Sequence, residues 1–182
     1  MGRIEVLFGG QGGQGIKFIG DLLGQACALT GKQVAGSASY GPEARGTLIS
    51  AEVVVSEEQI TYPRTLTPHF FVALSQEAYD RLHQDVAADG VMLFDPQAVT
   101  PLPEAPQRHY PIPALSTAAE MGHPEAANMI MLGALLAFSN LVDMDAVKNA
   151  LPESGRATNE RALERGFALG GGQVQDRARK TE

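Results

Sequence analysis

The 182-residue chain holds a single cysteine, Cys27. One thiol excludes an intramolecular disulfide framework, a Cys-x-x-Cys metal site and a four-cysteine iron–sulfur cluster within the chain. Basic residues are also scarce: 14 Lys and Arg stand against 21 Asp and Glu, a formal net charge of -7. The densest basic cluster, Arg177, Arg179 and Lys180, is diluted by Asp176 and Glu182, so nucleic acid is not an expected partner. The longest uncharged stretch, residues 126–142, is broken by Asn128, Ser139 and Asn140. It falls short of the roughly 20 apolar residues of a spanning helix, and no membrane partner is expected. Met1 to Phe8 runs into glycines too early for a secretory signal. A cytoplasmic location is the expectation. His69, His83, His109 and His123 have no metal-ligand spacing, and no internal repeat is found.

The chain does have the makings of one core: 44% hydrophobic and 19% charged residues describe an ordinary globular domain. Arg3 to Phe8 reads as a buried strand ending at a run of glycines. Ile16, Ile19, Leu23, Ala26 and Cys27 mark one face of a helix that Gly31 stops. Val34 opens a short second strand leading into a polar loop, Ser37 to Gly46, and Leu48 to Val55 is a third strand. Phe70 to Leu74 and Val91 to Phe94 are further strands around a helix marked by Ala78, Leu82 and Val86. Residues 96–113 are proline-rich and expected to be irregular, with Tyr110 and Ile112 extended. Glu125 to Phe138 reads as a buried helix, and helices follow near Asp145 to Leu151 and Asn159 to Ala168. This order predicts an α/β fold: three layers, α/β/α, with a mostly parallel, mixed central sheet and a Rossmann-like glycine loop. Residues 1–169 are expected to form a single domain, and the glycines from Gly170 to release residues 170–182 as a flexible polar tail.

Gly10, Gly12 and Gly15 have the spacing Gly-x-Gly-x-x-Gly between the first strand and first helix. Glycines there let the chain turn sharply and let a ligand come close, and N–H groups at the helix start can hold an anion. They equally permit tight strand–helix packing with no ligand. A dinucleotide site also needs an acidic residue near the end of the second strand, where this chain has Ala35, Gly36, Ser37, Ala38 and Ser39. The nicotinamide fingerprint fails at that half. No Gly-Lys-Ser/Thr follows the loop, so it is not a nucleoside-triphosphate loop either.

Ser39, Tyr40, Gly41, Pro42, Glu43, Ala44, Arg45 and Gly46 place a phenol, a carboxylate and a guanidinium in one segment. Arg45 suits a carboxylate or phosphate, while a Glu43–Arg45 pair that merely braces the loop is the alternative. This segment and Gly12 to Gly15 are expected to meet at the carboxyl edge of the sheet. Together, Gly10-Gln11-Gly12-Gly13-Gln14-Gly15-Ile16 and Ser39 to Gly46 resemble the paired signature of gamma subunits of 2-oxoacid:ferredoxin oxidoreductases. The resemblance continues through Ile60-Thr61-Tyr62-Pro63, Ala73 to Tyr79, Tyr110-Pro111-Ile112-Pro113 and Ala127 to Ala134, covering residues 3–169. It is especially to the 2-oxoglutarate type; pyruvate, ketoisovalerate and indolepyruvate types are alternatives. Two departures stand out: Thr47 and Leu48 where the family usually has another glycine, and Pro68-His69 where it often has Pro-Asp.

The resemblance implies oxidative decarboxylation of a 2-oxoacid on thiamine diphosphate. Electrons pass through iron–sulfur clusters to ferredoxin, and an acyl-CoA is formed. The chain has no Gly-Asp-Gly thiamine and magnesium motif and no cluster cysteines. Thiamine diphosphate, Mg and the clusters are therefore expected on partner alpha, beta and ferredoxin-like delta subunits, with a CoA phosphate or a partner's carboxylate as the alternatives for what this chain contacts. The expected contact residues are Gly10, Gly12, Gly13, Gln14, Gly15, Ser39, Tyr40, Gly41, Glu43, Arg45 and Asn128. No catalytic residue and no metal ligand is assigned. Asn128 enters because an amide on so apolar a helix must find hydrogen bonds, at the glycine loop or across a subunit interface. A stand-alone dinucleotide-binding protein and a ligand-free interaction subunit are the competing readings.

Overall fold

The structure, a computed structural model, describes residues 2–41 and 47–181, with side chains as far as residue 175. Strand β1 (Ile4–Gln11) is followed by α1 (Ile16–Leu29), β2 (Gln33–Tyr40) and β3 (Leu48–Ser56). Then come β4 (Phe70–Ala73), α2 (Gln76–Leu82), β5 (Val91–Phe94) and β6 (Arg108–Pro111). Helices α3 (Ala114–Glu120), α4 (Ala127–Ser139), α5 (Met144–Ala150) and α6 (Arg156–Thr181) complete the order. The six strands form one mixed sheet in the order β2-β3-β1-β4-β5-β6. β1, β4, β5 and β6 run parallel, and β3 runs antiparallel to both β1 and β2.

Alternation along β1 divides the core. Val6 and Phe8 face the larger cluster with Ile16, Ile19 and Leu23 of α1 and the buried run of α4. Leu7 faces the smaller one with Phe71, Tyr79 and Met92, beneath α2. The three layers are therefore unequal: α1 and α3–α6 cover one face, α2 and long connections the other. Helix α4 is apolar on every side because it lies between the sheet and α6.

Three features depart from the expectations above. β2 is not a short strand opening a loop at Ser37: it continues to Tyr40, because β3 pairs with its whole length, Ser39 opposite Ser50 and Tyr40 opposite Ile49. In the segment expected to be irregular apart from Tyr110 and Ile112, the extended stretch is Arg108 to Pro111, which pairs with β5 as a full strand, β6. Gly170 does not release a tail: α6 runs to Thr181. Glycines let α6 approach α4 closely. A Cβ on Gly133 would lie 2.1 Å from the Leu163 carbonyl oxygen, one on Gly166 1.9 Å from that of Ile130, and one on Gly170 2.7 Å from that of Ala134. The seam needs glycine for backbone contact, so Gly170, which suggests a chain break, acts as a packing residue.

Residues 57–69 lie across the sheet, held by two glutamates. Glu5 accepts from Arg3 Nε at 2.6 Å and from the N–H groups of Leu66 and Thr67 at 2.7 and 2.8 Å. Arg3 also donates to the carbonyls of Tyr62 and Arg64. Glu52 takes both ends of the Arg64 fork, at 2.9 and 2.6 Å, and the Thr65 N–H at 3.0 Å. His69, one of the two family departures, accepts the Glu5 N–H at Nδ1, 3.1 Å.

Candidate functional site at the glycine loop

β1 is flanked by antiparallel β3 on one side and parallel β4 on the other, so the sheet changes sense at its carboxyl end, a place where α/β sheets leave a crevice. The glycine loop occupies that position. Its glycines do different jobs. Gly10 is a packing residue: a Cβ there would meet Gln14 Oε1 at 2.5 Å and Ile16 Cδ1 at 2.6 Å. Gly13 and Gly15 have left-handed φ values, 93° and 71°. A Cβ on Gly13 would point into open space, while one on Gly15 would sit 2.2 Å from Asn128 Nδ2.

Gln14 braces the loop. Its Oε1 accepts the Gln11 N–H at 2.7 Å, and its Nε2 donates to the Leu74 carbonyl at the end of β4, 3.0 Å. The Gly12 N–H donates to the Thr47 carbonyl at 3.0 Å, tying the loop to the chain just before β3. Thr47 lies one residue beyond the second of the segments expected to converge, so this bond brings the flank of that segment to the loop. Thr47, one of the departures from the family pattern, places its hydroxyl beside Gly41, where a Cβ would be 2.2 Å from Oγ1. Ser39 and Tyr40 stand exposed at the end of β2. Glu43 and Arg45, with the rest of 42–46, lie outside the described residues.

Asn128 reaches the loop rather than a remote surface. It lies in the first turn of α4, accepts the Met129 N–H at Oδ1, 2.7 Å, and packs its Nδ2 against Gly15. The starts of α1 and α4 thus come together. The first N–H groups of α1, at Ile16, Lys17 and Phe18, have no intrahelical acceptor, and two helix starts side by side favour negative charge. Lys17 pairs with Asp21 on the solvent side of α1.

The topology also bears on dinucleotide binding. In the dinucleotide fold the second strand lies parallel beside the first; here β3 is inserted between them. Cys27 is buried, and burial pushes its thiol up to about 11, partly opposed by Lys32, so it is inert as a nucleophile. Among the described residues no cluster of His, Cys, Asp or Glu is arranged for a metal.

A polar cluster that sequence reasoning did not foresee lies under the second core. Tyr79 Oη is 2.9 Å from His109 Nε2 and accepts the Leu102 N–H at 3.0 Å. His109 Nδ1 lies 3.0 Å from the Gln107 carbonyl. That carbonyl can only accept, so Nδ1 carries the proton and Nε2 accepts from the phenol. Burial first, then neighbouring His83, lowers the His109 pKa, with the Gln107 carbonyl opposing them, which keeps the ring neutral. Separations of 23 and 30 residues gave the sequence no signal for it.

Residues 5–169 match the family model described as pyruvate ferredoxin/flavodoxin oxidoreductase. The chain belongs to this family. Within it, the chain is a gamma-type subunit of the 2-oxoacid:ferredoxin oxidoreductases. The 2-oxoglutarate synthase subunit KorC of Methanocaldococcus jannaschii is 40% identical over 166 residues, 88% of this chain and 89% of the relative. The ketoisovalerate oxidoreductase subunit VorA of Methanothermobacter thermautotrophicus is 37% identical over 135 residues, 74% of this chain but 28% of the relative. Among solved structures, the gamma subunit of keto/oxoacid ferredoxin oxidoreductase from Geobacter sulfurreducens superposes with a TM-score of 0.81 at 33% identity, covering 92% and 98% of the two chains. The 2-oxoglutarate:ferredoxin oxidoreductase from Magnetococcus marinus, solved with 2-oxoglutarate, coenzyme A and succinyl-CoA, gives 0.86 at 27% identity. There the match covers 94% of this chain and 32% of that one.

Proposed function

We propose that this chain is the gamma subunit of a cytoplasmic, multisubunit 2-oxoglutarate:ferredoxin oxidoreductase. Its glycine loop would present an anion-binding edge to CoA or to a partner subunit. The observation that carries this reading is the convergence of the α1 and α4 starts on a loop where Gly13 faces open space. Gly10 and Gln14 also pack and brace the loop, and the Gly12 N–H is taken by Thr47, so in this reading contact centres on Gly13 and the α1 N–H groups, with Arg45 as the cation the sequence offers. A CoA phosphate or a partner's carboxylate suits such a cradle. The chain does not fit the redox groups: one buried cysteine cannot supply four thiolates, and no Gly-Asp-Gly motif is present. In this reading thiamine diphosphate, Mg and the clusters belong to alpha, beta and delta partners, and 2-oxoglutarate binds chiefly there.

The test is Arg45→Ala in the co-expressed complex. Loss of a charge-assisted contact, roughly 1.5–3 kcal/mol, should raise the KM for CoA about tenfold or more if CoA is the ligand. If a partner carboxylate is the ligand, assembly should weaken instead. Normal assembly with unchanged CoA kinetics would leave the loop a brace and remove the proposal.

A further inference from the structure

The two edges of the sheet are built differently. β6 is four residues long, carries Arg108 and Pro111, and has Gln173 of α6 donating to the Pro111 carbonyl at 3.3 Å. It is short, charged and partly covered, as protected edges are. β2 is eight residues long, Gln33 to Tyr40, with neither a charge nor a proline. A long neutral edge of this kind is a template for another strand.

The hydrogen bond from the Gly41 N–H to the Leu48 carbonyl, 2.9 Å, fixes which backbone groups are free. Alternate residues back along β2, Ser39, Ser37 and Ala35, face β3 in the same way. Tyr40, Ala38, Gly36 and Val34 therefore turn their N–H and C=O groups away from the sheet. We propose that this edge pairs antiparallel with β2 of a second copy of this chain, about a twofold axis at Gly36, to make one sheet through both copies.

In that register Gly36 exchanges both bonds with its equivalent, and Val34 lies opposite Ala38 of the other copy. Directly opposed residues share a face, so small side chains meet small ones and no like charges are opposed. Among the described residues, Asp21 and the Glu52 backbone line a cavity of about 210 Å³ beside Gly36 and Ser37. Both side chains are already paired, with Lys17 and Arg64 respectively. Among the described residues, then, no unpaired carboxylate borders β2, despite a net charge of -7 on each copy. An isologous contact needs a surface that complements itself, and β2 supplies one. The glycine loop at the strand ends is left free for other partners.

Sedimentation velocity of the full-length chain over a range of concentrations should show a species of twice the chain mass. A Cβ on Gly36 meets only the Glu52 carbonyl oxygen, at 3.8 Å, so Gly36→Asp should fold as wild type. It would oppose two carboxylates at the axis and should sediment as a monomer. Gly36→Cys should form a disulfide-linked pair on mild oxidation, because Cα atoms about 5.5 Å apart lie within bridging range. Buried Cys27 gives no competing bridge. A monomeric wild type, a dimeric Gly36→Asp, or cross-linking of the introduced thiol to a different subunit in the co-expressed complex would each overturn the inference.

Discussion

Glu5 shows how one side chain can be costly by burial and still stabilise the fold. Burial alone would raise its carboxyl, but the Arg3 hydrogen bond, the N–H groups of Thr67 and Leu66 and the Arg3 charge outweigh it. The net shift is downward. Glu52 behaves alike, with Arg64 and Thr65 overcoming burial. A carboxyl depressed in the folded state stabilises above its unfolded pKa, and that stabilisation is lost as pH falls through the folded one. Thermal unfolding followed across pH should therefore show a decline beginning below about pH 4. Glu5→Gln should cost roughly 1–3 kcal/mol at neutral pH and flatten that acid limb. An acid limb as steep as wild type would mean that other carboxylates control it. Only Arg3 is a local partner; the others come from residues some 60 positions from Glu5 and 12 or 13 from Glu52.

At the scale of elements, α4 and α6 share a seam that divides the chain's late glycines into two kinds. Gly133, Gly166 and Gly170 sit against backbone, whereas Gly171 and Gly172 have nothing near the place of a Cβ. Gly171→Ala and Gly172→Ala should each stabilise the helix by about 0.5–1 kcal/mol, through lower entropy of the unfolded chain. Gly166→Ala should destabilise by roughly 1–3 kcal/mol or more, because the α6 backbone must move off the Ile130 carbonyl. Urea titrations of the three variants check both signs; equal effects at 166 and 171 would deny the seam. In the sequence, Gly170 to Gly172 suggest only a chain break, because composition cannot tell a glycine that frees the backbone from one that lets two helices touch.

For the whole molecule, the expectation is a subunit that does nothing alone. Purified full-length chain, given 2-oxoglutarate, CoA and viologen, should reduce no dye above background, and reduction should appear only with its co-expressed partners. Turnover by the single chain would contradict the assignment of redox groups to other subunits.

The sequence by itself determined the strand–glycine loop–helix opening, the buried α4, the failure of the nicotinamide fingerprint and the family, because these rest on local periodicity and contiguous motifs. One cysteine likewise settles the cluster question without any fold. Tertiary structure alone decided the rest. Ser37 to Tyr40 reads as a polar loop, yet pairing with β3 holds it extended. Gly10 and Gln14 stand in the sequence as candidate contacts, and only the fold shows that they also pack against Ile16 and brace the loop. Asn128 lies more than a hundred residues from Gly15 in sequence but packs against it. Local patterns fix which face of an element is apolar; which element covers that face, and in which direction its neighbour runs, depends on contacts between distant segments.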